Sequence, residues 1–158
     1  MAETTFHGID EVKAAVGRHL GYSEWVDVTQ DQVDLFADAT GDHQWIHVDP
    51  ERAAAESPFG GPIAHGYLTL SLTNLFLPQV VDVQDVSLGV NRGTGKVRFP
   101  SPVPVGSRLR AGVELVAADD VEKDGVAVGV DTTMLITVER EGSDKPVCVV
   151  ESLSRYMA

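Results

Sequence analysis

The sequence predicts an α+β fold in which one buried helix lies against a mostly antiparallel sheet. Three observations carry that prediction. Residues 65–77 are apolar on nearly every side of a helical wheel and are closed by Pro78, the pattern of a helix buried in a core. After Pro78 the apolar period changes to two, the period of a half-buried strand. Between two such alternating runs stands Asp124-Gly125, a strong hairpin signal.

The elements follow in chain order. Ile9, Val12 and Val16 recur at helical spacing, so a short helix is expected over 9–16, ending at Gly17. Thr29-Gln30-Asp31-Gln32 has the form of a capping box. Val33, Phe36 and Ala37 then mark one apolar face, and Gly41 supplies a stop, which predicts a helix over about 30–40. Gly41 to Pro62 is rich in Gly and Pro and reads as a long loop, with one helical turn at 50–55 that has proline first. The core helix at 65–77 comes next. Strands are expected at 85–90, 95–100, 108–117, 126–139 and 146–155, with Gly129 marking a bend or bulge.

At 158 residues the chain fits a single domain spanning 1–158. Its formal charge is -12, from 12 Lys plus Arg against 24 Asp plus Glu, so a nucleic-acid partner is not expected. No apolar run is long enough to span a membrane, and the first ten residues lack the basic start and apolar stretch of a secretory signal. Cys148 is the one cysteine, so no internal disulfide forms. Together these features predict a cytoplasmic location.

Two segments carry candidate chemistry. In Gly41-Asp42-His43-Gln44-Trp45-Ile46-His47 an acid and an imidazole sit just after a helix, bordered by apolar residues. Such a pair can act as general acid and base, with burial raising the carboxylate pKa and the carboxylate holding the imidazole in one tautomer. Taken alone, Asp42 reads first as a turn cap and His47 as a loop histidine. In Phe59-Gly60-Gly61-Pro62-Ile63-Ala64-His65-Gly66, glycines lead into the core helix, whose free N–H groups can polarise a carbonyl; the plain alternative is a flexible connection that permits tight packing. His43, His47 and Asp49 have metal-ligand types, but no cysteine lies near them to complete a closed four-ligand site, so no metal is expected. From Val86 to Val113 there is no Asp or Glu, while Arg92, Lys96, Arg98, Arg108 and Arg110 fall within that stretch. A basic patch of this kind steers phosphates; a solvated strand face or an intersubunit salt bridge explains it equally well.

Together, T-G-D-x4-H-x-D-P and G-G-P-I-A-H-G-x-L-T, followed by Lys96 to Ser107, resemble the MaoC-like dehydratase family, which includes the (R)-specific enoyl-CoA hydratases. The form of the 41–47 segment is most like short members related to nodulation protein N, and the likeness runs from about residue 25 to 155. The resemblance implies a hot-dog fold, a long central helix wrapped by a curved antiparallel sheet, that pairs as a homodimer. It implies hydration of a trans-2-enoyl-CoA to an (R)-3-hydroxyacyl-CoA, with Asp42 and His47 activating the water. The Gly66 N–H would bind the thioester oxygen, and His65 would support the site. Some hydratases place a serine nine residues after the HG histidine to orient the aspartate; here that position is Asn74, whose amide can donate the same bond. Arg92, Lys96 and Arg98 become candidates for coenzyme A. Coenzyme A enters as part of the substrate, and no redox or metal cofactor is implied. Gln44-Trp45 stands where many members have Asn-Pro, and Arg92 precedes Gly93 where an aromatic residue is common. A hot-dog thioesterase and a non-catalytic acyl-thioester-binding accessory protein are the alternative activities.

Overall fold

A computed structural model describes residues 1–158. The N-terminal part comprises β1 (Thr4–His7), α1 (Gly8–Ala14), β2 (His19–Tyr22), β3 (Val26–Asp27), α2 (Gln30–Thr40), α3 (Trp45–Val48) and α4 (Pro50–Glu56). The expected cap of α2 is present: Thr29 Oγ1 accepts from the Gln32 N–H at 3.2 Å, and Gly41 closes the helix in the left-handed region at φ 85°. Only glycine holds that conformation without a steric cost.

The expected core helix is two segments, α5 (Gly66–Ser71) and α6 (Thr73–Val80), joined through Leu72, which keeps helical angles of φ -65° and ψ -14°. It is also not buried all round. Leu68, Leu72, Phe76 and Val80 face the core at helical spacing, while Tyr67 and Leu75 are 72% and 47% exposed. Pro78 lies inside α6 rather than closing it, and the chain passes from Val80 directly into β4 (Val81–Gln84).

The rest of the chain is β5 (Leu88–Arg98), β6 (Arg108–Lys123), β7 (Val126–Arg140) and β8 (Cys148–Met157). The main sheet has the order β2-β6-β7-β8-β5 with β3 also on β6, and every pair in it is antiparallel. A separate parallel pair, β1 with β4, was not expected. The two short strands expected at 85–90 and 95–100 are the single strand β5, whose register slips between Asn91 and Gly93 and between Thr94 and Val97. β6 runs on through the polar stretch at 119–123, and the hairpin turns at Asp124-Gly125 with φ 52° and 76°, as a type I′ turn requires. The bulge expected near Gly129 is there: Val121 faces Gly129 and Glu122 faces Ala127, which leaves Val128 without a partner on β6.

Alternation places Leu109, Ala111, Val113 and Leu115 of β6 and Val130, Met134, Ile136 and Val138 of β7 on one face, buried against α5 and α6. Phe76 is fully buried at the centre of this layer; truncation of such a side chain to alanine costs about 3–5 kcal/mol. Cys148 belongs to the same core, and burial pushes its thiol up to about 11.

Candidate active site

The left-handed turn at Gly41 releases the chain from α2 and places Asp42 at the mouth of the next loop. The single turn α3 then carries His47 inward. It is pinned from behind, because Gln30 Nε2 of α2 donates to the His47 carbonyl at 2.7 Å. Asp49 caps α4 by accepting from the Arg52 N–H at 3.1 Å, and the Arg52 guanidinium lies 4.3 Å over the Trp45 ring. These contacts fix the loop on both sides of His47.

His47 is 7% exposed. Its Nδ1 lies 2.6 Å from the Ile63 carbonyl. A carbonyl only accepts, so Nδ1 carries the proton and Nε2 is left with a free lone pair. Ile63 is itself held in place by its own N–H, which donates to the Ile46 carbonyl at 3.0 Å. Burial lowers the His47 pKa from its ordinary value, against the Ile63 carbonyl, which favours the charged form; the His65 ring lowers it further and Asp42 raises it. The tautomer is therefore set by a backbone carbonyl and not, as expected, by the neighbouring carboxylate.

His65 is 3% exposed and stacks on His47 with ring centroids 4.0 Å apart. Its Nε2 donates to the backbone carbonyl of Asp42 at 2.9 Å; its Nδ1 is buried without a partner. One side-chain nitrogen or carboxylate oxygen from each of Asp42, His47 and His65 lies within 4.8 Å of the others. The Asp42 side chain is 53% exposed, with Oδ2 4.0 Å from His65 Nε2, while Oδ1 accepts from the Gln44 N–H at 3.3 Å. So Asp42 both caps a turn and faces the histidine pair, and the burial expected for its carboxylate is not found in the single chain. The ligand set His43, His47 and Asp49 is not assembled: His43 pairs with Asp38 at 2.9 Å and Asp49 caps α4.

Gly66 is the first residue of α5, so its N–H has no acceptor within that helix. A Cβ at this position would stand 3.2 Å from the Phe99 ring, so the aromatic packs directly on the glycine. Beside it runs a cleft of about 360 Å³ walled by Phe59, Ile63, Gly66, Thr69, Phe99 and Val103 among others. Motif reading missed this cleft, since Phe99 and Val103 reach it from beyond β5.

The structure gives Asn74 and Arg92 surroundings other than those expected. Asn74 is exposed on α6 and has no hydrogen bond to Asp42. Nine residues are about two and a half turns of helix, which puts it on the side opposite His65. Arg92 is already paired, with Nη1 2.7 Å from Asp131 Oδ2, and Arg155 holds the same carboxylate at 2.6 Å. Arg108 pairs with Asp27 and Glu141. Arg110 pairs with Glu139 and stacks on Tyr22 and Trp25. Of the five cations in the acid-free stretch, Lys96 and Arg98 remain exposed with no ion pair, on the strand that leads into Phe99.

The MaoC like domain family matches the chain over residues 11–135. The chain is 54% identical over 154 residues to 3-hydroxyacyl-thioester dehydratase Z of Mycobacterium tuberculosis, covering 98% of this chain and 99% of that relative. It is 47% identical over 137 residues to nodulation protein N of Rhizobium leguminosarum bv. viciae, covering 86% and 83%. Among solved structures, an (R)-hydratase from A. caviae involved in PHA biosynthesis aligns with TM-score 0.67 at 26% identity, over 88% of this chain and 94% of that one. A Mycobacterium tuberculosis protein with a double hotdog fold aligns with TM-score 0.73 at 19% identity, over 90% of this chain and 42% of that one. The expected hot-dog fold is thereby borne out.

Proposed function

The chain belongs to the MaoC-like dehydratase family, and from that premise we propose that it interconverts trans-2-enoyl-CoA and (R)-3-hydroxyacyl-CoA. The observation that carries the reading is the buried His47, held neutral with Nε2 free, beside the carboxylate of Asp42. In the hydration direction a water sits between Nε2 and that carboxylate. One O–H bond of the water breaks, its oxygen bonds to C3, and a proton reaches C2 from the pair, so the pair ends with the protons it began with. The thioester oxygen lies against the Gly66 N–H, which stabilises the negative charge that builds there in the enolate-like transition state. His65 supports the site by holding the Asp42 backbone. No redox or metal cofactor has a step in this chemistry.

The carrier is read as coenzyme A. Lys96 and Arg98, exposed without an ion pair on the strand that leads into Phe99 of the cleft, are taken as the carrier's phosphate contacts. We take a second copy of the chain to complete the site, because Asp42 is open to solvent and β5, paired only with β8, is a largely exposed sheet edge. A fully active monomer in sedimentation at micromolar concentration contradicts that. No helix is long and apolar enough to cross a membrane, and we place the enzyme in the cytoplasm.

The deciding experiment follows the enoyl-thioester absorbance of crotonyl-CoA together with free thiol and product chirality. Loss of absorbance without thiol, giving the (R)-alcohol, is the expected result. Release of thiol identifies a thioesterase, and binding without either change identifies an accessory protein.

A further inference from the structure

Helical hydroxyls usually turn back on their own helix. Ser71 Oγ donates to the Tyr67 carbonyl at 2.7 Å, and Thr73 Oγ1 donates to the Leu70 carbonyl at 2.8 Å. In α2, Thr40 Oγ1 does the same to the Phe36 carbonyl at 2.7 Å. Thr69 departs from this pattern. It is 1% exposed, yet its hydroxyl has no hydrogen-bond partner in the protein, and it lines the cleft beside Gly66. The other side-chain hydroxyl of that cleft, Ser101, is engaged, donating to the Pro146 carbonyl at 2.9 Å. The facing walls, Phe59, Ile63, Phe99 and Val103, are apolar. A hydroxyl that makes no bond within the protein and lines such a cleft is left for a ligand atom to complete.

We propose that Thr69 is a second donor to the thioester carbonyl oxygen, acting beside the Gly66 N–H. Residues three apart lie on the same face of a helix, and side chains lean toward the N-terminus. Thr69 and Gly66 therefore share one face of α5 and line the same cleft, and we take one acceptor atom to be held by both donors. A hydroxyl fixed there needs no reorganisation as charge builds on the oxygen, so its effect grows toward the transition state. It transfers no proton; the hydrogen stays on Oγ1 throughout. The inference rests on the thioester hydration proposed above.

The test is steady-state hydration of crotonyl-CoA by Thr69→Val and Thr69→Ser. Valine keeps the shape and removes the donor, whereas serine keeps the donor. Thr69→Val is expected to lower kcat about 10–100-fold with KM within about threefold, the pattern of a contact made mainly in the transition state. Thr69→Ser is expected to stay within about threefold of wild type in both constants. Melting temperatures confirm that each variant is folded; should Thr69→Val fail to fold, Thr69→Ala against Thr69→Ser makes the same comparison. Unchanged kcat in Thr69→Val, a defect confined to KM, or a serine variant as slow as the valine variant overturns the role. A wild type that does not hydrate crotonyl-CoA removes the hydration reading and this inference with it, whereas an active wild type with an unimpaired Thr69→Val removes the inference alone.

Discussion

The imidazoles of His47 and His65 stack with centroids 4.0 Å apart and planes 26° from parallel, and each is tied to a different backbone carbonyl. His47 donates to Ile63 and His65 donates to Asp42. The stack thus joins the loop that bears Asp42 to the segment that leads into α5. It also leaves the lone pair of His47 Nε2 free beside Asp42, while that of His65 Nδ1 is buried without a partner. A proton gained by His47 places a cation against the His65 ring in a buried setting, and burial disfavours that charge.

One consequence is a pH dependence centred on His47. Its pKa is held below the ordinary value of 6.5 by burial. As pH falls through about 6.5 the unfolded chain takes up a proton that the folded chain does not, so stability declines until the folded value is passed and then levels off. Above that window His47 contributes no slope. Thermal melting of wild type and His47→Gln across about pH 5–8 should show the extra acid-side decline in wild type alone. Parallel curves contradict the account. In kcat/KM the acid limb assigned to His47 should lie below the ordinary histidine value.

His65 is expected to act on Asp42 through position. His65→Leu removes the donor to the Asp42 carbonyl and the stacked ring, and should cost about 1–3 kcal/mol of stability and about tenfold in kcat. His65→Gln retains an N–H donor and should recover part of both. Denaturant melts and steady-state rates measure the two losses, and wild-type values in the leucine variant rule the role out.

The parts legible in the sequence were those fixed by near neighbours. Thr29 and Gly41 bound α2 because caps act over a few residues, and Asp42 and His47 were readable as a pair because one short loop carries both. The carbonyl that orients His47 was not readable, since any residue at position 63 presents one. The exposure of Asn74 was not readable, since it depends on how α5 and α6 turn relative to His65. The partner of Arg92 was not readable because Asp131 lies on β7, and only the fold brings them together. β5 was read as two fragments because a strand exposed on both faces shows no alternation.

The cations separate by their partners. Lys96→Ala and Arg98→Ala should each raise KM for enoyl-CoA a few-fold with little change in kcat, and the defect should vanish with a pantetheine thioester that lacks the nucleotide. Arg92→Ala removes one arm of the Asp131 cluster and should affect both substrates equally. Kinetics on the two substrates test this, and equal defects for Lys96→Ala on both assign that residue to structure.

The central claim is that Asp42 and His47 act on one water, and crotonyl-CoA turnover by Asp42→Asn, His47→Gln and the double variant tests it most directly. Each single change removes an ionisable group while keeping a polar side chain of similar reach. Each is expected to lower kcat by about 10²–10⁴-fold, the usual worth of general acid–base catalysis. The double variant should be scarcely slower than the poorer single one, because groups that act as a unit are not additive. Folded single variants that keep near-full hydratase turnover would contradict the account.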